Sequence, residues 1–201
     1  MRRITRIADL EALYGTPPSA ALRKVAHRLT PLYRQWIAAS RLCIVSTVGP
    51  DGTDGSPRGD EVAVALELDP QTLALPDWHG NNRLDTLRNI VADPRLSLLF
   101  LVPGSNNVVR VNGRAFVTDD TDLRDRFRKE ERRPATVIVV EIGEIYVQCA
   151  RALLRARTWA GVDDSDGLPT VGQILAEMTD GAEGGAAYDA NWGPRAAKTL
   201  W

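Results

Sequence analysis

The chain has 201 residues, 44% of them hydrophobic and 25% charged, a balance that supplies one ordinary buried core and excludes a disordered or fibrous protein. With 25 Lys+Arg against 26 Asp+Glu the net charge is −1, so no global positive field exists to condense on nucleic acid or anionic lipid. No apolar run of secretory-signal length opens the chain and nowhere do 18 uncharged apolar residues follow one another, so it reads as a cytoplasmic protein that does not enter the membrane.

Ile4, Ile7, Leu10 and Leu13 keep a three-residue spacing that predicts a helix. Gly15-Thr16-Pro17-Pro18 interrupts it, and residues 20–29 resume the pattern. Thr30-Pro31 starts another helix, with threonine as N-cap and proline in the first turn, where its missing N–H costs nothing; it ends near Ser40. Residues 1–40 are thus a helical extension with no concentration of chemistry.

From Leu42 the period changes to two or to short apolar runs, the signature of strands. The first covers 42–48. After the turn Gly49-Pro50-Asp51-Gly52, a second through 62–66 should pair with it as a hairpin. Asp69-Pro70 turns the chain into a strand at 72–75 and a loop from Pro76 to Asn81. A helix follows over 83–91, with Asn82 as N-cap and Asp85 in its first turn, stopped by Asp93-Pro94. Strands at 96–102, 108–117 and 136–149 come next, the last interrupted at Gly143, with a charged helical link over 119–131. Six strands with one embedded helix and no β-α alternation predict a mainly β fold with flanking helices, an antiparallel closed sheet over 41–160. A helix over 150–159 ends that domain. A linker and helical tail fill 161–201, with a short helix at 171–178 and a flexible Gly181–Gly185 piece.

Cys43 and Cys149 lie in apolar, strand-like stretches without CxxC spacing, so both are expected to be buried small hydrophobes, with no disulfide. His27 and His79 have no partners at metal-ligand spacing, and no metal site is expected.

Two clusters carry chemistry, Ser56-Pro57-Arg58-Gly59-Asp60 and Gly80-Asn81-Asn82-Arg83-Leu84-Asp85. The second puts an arginine on the opening turn of a helix, where free N–H groups and the helix dipole favour an anion. Arginine adds a forked donor matched to phosphate oxygens, and if Arg58 points the same way two guanidiniums converge on one phosphate. The simpler alternatives are that Asn82 only caps its helix, Arg83 only solvates it, and Arg58 pairs with Asp60 at a strand edge.

Taken together, SPRGD, LALPD, GNNRLDTLRNI, LLFLVPG and RVNGRA resemble the FMN-binding split-barrel proteins related to pyridoxamine 5′-phosphate oxidase, over about residues 4–159. The resemblance implies a six-stranded antiparallel split β-barrel that forms a homodimer with FMN at the interface. It implies that Ser56, Arg58 and Gly59 help hold the flavin phosphate, that Asn81, Asn82 and Arg83 replace a Ser-Arg-Lys run with the same task, and that Pro76 and Asp77 meet the pyrimidine side of the ring. Arg110 would line the cofactor near N1, while Gln148 and Arg151 would face the partner's flavin where relatives carry His and Lys. Because the oxidases' Arg-Leu-His-Asp-Arg-type motif is replaced by Arg155-Ala156-Arg157-Thr158-Trp159, pyridoxamine phosphate is not expected as substrate. What remains is an FMN-dependent oxidoreductase acting on a small molecule or NAD(P)H through flavin N5, with no side chain assigned as catalytic. The alternatives are a non-catalytic flavin sensor, or a barrel using deazaflavin or haem.

Overall fold

The computed structural model describes residues 1–201. Helices α1 (Ile7–Tyr14) and α2 (Ser19–Arg23) precede α3 (Pro31–Ala39), which starts as its sequence dictates: Tyr33 donates its N–H to Thr30 Oγ1, and Pro31 occupies the first turn. The helix expected over 20–29 stops at Arg23. Ala26 instead exchanges backbone hydrogen bonds of 2.9 and 2.8 Å with Ile145, a partner far away in the chain that local periodicity does not reveal.

Strand β1 (Leu42–Gly49) turns back tightly into β2 (Gly52–Gly59), in register from Gly49 opposite Gly52 to Leu42 opposite Gly59. The partner of the first strand is therefore 52–59 and not 62–66. GTDGSPRG contains no aliphatic or aromatic residue, so hydropathy is silent over a strand that is specified by its turn and by its single neighbour. Val64 and Ala65 are buried, as their character demands, but in a connecting segment where Val64 donates its N–H to the Ser40 carbonyl.

The chain continues as β3 (Leu66–Asp69), β4 (Thr72–Asp77), α4 (Asp85–Ala92), β5 (Arg95–Leu101), β6 (Val108–Thr118), α5 (Thr121–Asp125) and β7 (Thr136–Gln148), then α6 (Arg151–Ala156), α7 (Val171–Met178) and α8 (Gly185–Lys198). The fold is mainly β, one antiparallel sheet with flanking helices. Its seven strands run in the order β2-β1-β5-β6-β7-β4-β3, with every neighbouring pair antiparallel. The expected six-stranded closed barrel is corrected on both counts. The polar β2 and the four-residue β3 remain free edges, because residues 60–65 join them as coil without bridging them.

The main core lies on one face of the sheet, where Cys43, Val45, Leu98, Phe100, Val109, Val111 and Val140 pack with Ile37 of α3 and Ile90 of α4. A smaller cluster of Ala74, Val137 and Val139 is covered by Leu123 and Phe127. The interruption expected at Gly143 is a β-bulge: Asn112 pairs with Glu144 and Gly113 with Ile142, leaving Gly143 opposite no residue. Glycine is required at 113, because a Cβ there would collide with the Glu141 carbonyl oxygen.

In the tail, Thr170 and Gln173 form a capping box at the start of α7. Asp189 of α8 accepts from Thr170 Oγ1 at 2.6 Å and from the Gly172 N–H at 2.8 Å, tying α7 to α8. Cys43 is buried as expected, but Cys149 is exposed, since it follows the last residue of β7 and has left the sheet. No helix is long and apolar enough to cross a membrane.

Candidate functional site

β2 and β4 lie far apart in the sheet order, yet Ser56 and Arg58 of β2 and Asp77 at the end of β4 line one cleft of about 700 Å³. The loop Trp78–Leu84, the first turn of α4 and Thr136 of β7 complete it. Arg58 stands opposite Cys43 in the ladder and so shares the face of that buried residue. Its Nη2 lies 3.2 Å from Asp77 Oδ1, and its side chain is only 23% exposed. Asp60, the alternative partner, is instead bonded to Lys129 at 2.6 Å. Burial pushes the Asp77 carboxyl above the ordinary carboxylate range, while the Arg58 cation pulls it back.

Three buried polar atoms on this lining have no hydrogen-bond partner: Arg58 Nε, Trp78 Nε1 and Thr136 Oγ1. Unmade hydrogen bonds at buried polar atoms cost free energy, and three residues of this one lining carry that cost. Thr136 and Trp78 belong together because β4 pairs with β7, which puts Asp77 opposite Thr136.

The Asn81-Asn82-Arg83 segment differs from its expected form. α4 begins at Asp85 instead of Arg83, and Asn82 does not cap it. Asn81 Oδ1 accepts the Arg83 N–H at 3.1 Å, and Asn82 and Leu84 both take left-handed φ values of 59° and 63°. The asparagine pair therefore makes a tight turn, a role its side chain and αL tolerance suit equally well. The first turn of α4 is left with no side-chain cap, and its N–H groups stand beside the cleft. Arg83 is 74% exposed and holds Asp85 at 2.8 Å. Both arginines of the cleft are thus already engaged by carboxylates.

The remaining expected residues are dispersed. Pro76 is buried within β4, and Gly59 lies at the exposed end of β2, outside the lining. Arg110 aligns with Leu99 and Ile44, the neighbours in sequence of Phe100 and Cys43, so it projects from the opposite face to Arg58. There its Nη1 donates to Tyr146 Oη at 3.3 Å. Gln148, two residues along β7 from Tyr146, shares that face, and its Oε1 is buried without a partner. Arg151 is exposed at the start of α6. One chain does not unite these three with the cleft.

Sequence reasoning missed Asp54, Thr86 and Thr136 in the lining. Thr86 Oγ1 donates to Asp54 Oδ2 at 2.5 Å, which ties α4 to β2. The one available signal was the turn Gly49-Pro50-Asp51-Gly52, which, read with a two-residue loop, places Asp54 and Ser56 on a strand. A second depression of about 620 Å³ lies over Ser46, Ser97, Asn112 and Arg95, but no unpartnered buried atom faces it.

The family profile described as pyridoxamine 5′-phosphate oxidase matches residues 29–149, more than half of the chain. No curated protein matches. Among solved structures, a Lactobacillus delbrueckii protein provisionally named a pyridoxamine 5′-phosphate oxidase is 24% identical over 60% of this chain and 95% of its own, with a TM-score of 0.49. HupZ of Group A Streptococcus is 16% identical over 58% of this chain and 91% of its own, with a TM-score of 0.49. An F420 reductase is 18% identical over 60% and 98%, with a TM-score of 0.42.

Proposed function

The chain belongs to the pyridoxamine 5′-phosphate oxidase family, and from that premise we propose that it is an FMN-binding oxidoreductase, working as a homodimer on a small molecule or NAD(P)H. The observation that carries the reading is the set of buried, unpartnered atoms on one cleft wall, Arg58 Nε, Trp78 Nε1 and Thr136 Oγ1. Two of them are N–H donors and the third is a hydroxyl, a set that fits the acceptor oxygens and carbonyls of a flavin nucleotide. When bound, the flavin supplies a hydride-accepting N5.

The residues of this chain bind and orient. Arg58 offers Nε to a phosphate or carbonyl oxygen while Asp77 fixes its plane through Nη2. The uncapped first turn of α4 adds N–H groups, and Arg83, released from Asp85, adds a second cation. Trp78 lines the cleft with an apolar ring and one directed donor. Arg110 and Gln148 lie on the other face, so they meet the same ligand only across a two-fold interface, each cleft being completed by the second copy. No side chain is assigned a proton-transfer step.

The test is the absorbance spectrum of the purified protein, before and after anaerobic addition of NADPH. Two flavin bands that bleach support the reading. A flavin that stays oxidised with NADPH and with candidate substrates assigns a sensor, and a Soret band or a deazaflavin spectrum assigns a different cofactor. A colourless protein that takes up no added FMN overturns it.

A further inference from the structure

At both ends of the chain lies a short helix with an apolar stripe that nothing covers. In α1, Ile7, Leu10 and Tyr14 stand at i, i+3 and i+7 and all are exposed; no residue of the helix is buried. In α7, Val171, Ile174 and Met178 repeat that spacing, and all are exposed as well, because α7 buries its Gly172 side against α8. Residues at this spacing form one face of a helix, and each stripe is about 10 Å long at 1.5 Å per residue. An isolated eight-residue helix is marginal in water, so α1 in particular requires a surface to lie on.

The two ends are also opposite in charge. Residues 1–34 hold seven Lys and Arg against two acidic residues, whereas residues 158–194 hold seven Asp and Glu and no Lys or Arg. Within the helices themselves every charge is acidic, Asp9 and Glu11 in α1 and Glu177 in α7, so the complementary charge lies in the residues that flank them. Arg2 and Arg3 precede α1, and Glu177, Asp180 and Glu183 lie at and beyond the end of α7. Antiparallel docking brings Ile7 to Met178, Leu10 to Ile174 and Tyr14 to Val171, with the arginines beside the acidic cluster.

The two stripes of one chain do not meet, although both ends are anchored. The N-terminal arm is held by the Ala26–Ile145 backbone pair, and the tail by Arg132 Nη1, which donates to the Lys198 and Trp201 carbonyls at 2.9 Å each. Each copy therefore offers one free stripe of each kind, and two copies satisfy all four in a closed, two-fold arrangement. We infer that α1 of one copy docks antiparallel on the Val171-Ile174-Met178 stripe of a second copy of this chain. The inference is independent of what the cleft binds.

Differently tagged full-length chains carrying Leu10→Cys or Ile174→Cys, both with Cys149→Ser, are mixed and oxidised. A disulfide joining the two tags supports the docking, provided that Leu10→Cys with Val91→Cys, exposed on α4, gives none. Adding Arg2→Glu and Arg3→Glu should abolish the inter-chain band at low salt. A disulfide formed only when both cysteines share one chain overturns the inference in favour of the arm covering its own tail, and no disulfide overturns it outright. If the cysteine variants fail to fold by circular dichroism, hydrogen exchange of the unsubstituted protein decides. Protection over 7–14 and 171–178 that rises together with protein concentration supports the docking, and protection independent of concentration overturns it.

Discussion

Replacing Arg58 and Arg83 separately by alanine tests which arginine holds the ligand. Arg58 is largely buried, with Nε free and Nη2 on Asp77, whereas Arg83 is largely exposed and paired with Asp85. A hydrogen bond to a charged group contributes about 1.5–3 kcal/mol, so Arg58→Ala should weaken FMN by roughly 10- to 150-fold. An exposed arginine that must first leave a carboxylate contributes about 0–1 kcal/mol, so Arg83→Ala should weaken it less than about fivefold. Quenching of flavin fluorescence gives both constants, and riboflavin, which lacks the phosphate, serves as the second ligand. If Arg58 meets the phosphate, Arg58→Ala erases the preference for FMN over riboflavin and leaves riboflavin binding nearly unchanged. Equal losses for both ligands would place Arg58 on the ring and refute the phosphate assignment. A larger effect from Arg83→Ala would refute the argument from burial. Folding of Arg58→Ala has to be checked by circular dichroism, since the partly buried Asp77 loses its cation.

Gly113→Ala should destabilise the protein by about 1–3 kcal/mol or more, the usual cost of overpacking, because the added methyl meets the backbone of β7 instead of a side chain able to move; urea denaturation measures it. Thiol titration should count one fast-reacting cysteine in the native protein and two in denaturant, since Cys149 is exposed while burial drives the Cys43 thiol far above its ordinary range. Asp93 is held down to about 2 by hydrogen bonds from the Arg95 side chain and backbone. A depressed carboxylate adds stability that is fully present above its unfolded value, about 3.9, and is lost as pH falls toward 2. Asp93→Asn should therefore lower the urea midpoint at pH 7 slightly and flatten the decline between pH 4 and 2, the two proteins converging at the acid end.

Much of the fold was legible wherever apolar periodicity or a turn residue acts locally. The Thr30-Pro31 start of α3, the strands that became β1, β5, β6 and β7, and the bounds of α7 all follow from such signals. β2 was not legible as a strand from hydropathy, because it is polar and lies at an edge, yet it carries Ser56 and Arg58. Asn82 was misread because asparagine serves equally well as a helix cap and as an αL turn residue, and Asn81 settles the choice by taking the Arg83 N–H. Neither the Arg58–Asp77 pair nor the nearness of Thr136 could be read locally, since both depend on β4 pairing with β7.

The register that scattered the expected site is also what argues for two copies. In one chain each cleft cation is offset by a carboxylate, Arg58 by Asp77 and Arg83 by Asp85, and Asp54 adds a third carboxylate, so the cleft alone has no surplus positive charge for a phosphate. Arg110 is different: it makes no ion pair, and its only side-chain partner is the neutral Tyr146 hydroxyl. It stands on the face away from the cleft, together with Gln148 and its unmet Oε1. Arg110 offers the positive charge that the cleft lacks, and Gln148 Oε1 offers an unmet acceptor where the cleft has unmet donors. A flavin nucleotide carries both an anionic phosphate and a ring edge of mixed donors and acceptors, and it can satisfy the two sets at once only if they belong to different copies. The parity of residues 43 and 44 in β1 is what separates Arg58 from Arg110, and on this reading it makes the proposed dimer a requirement of the site.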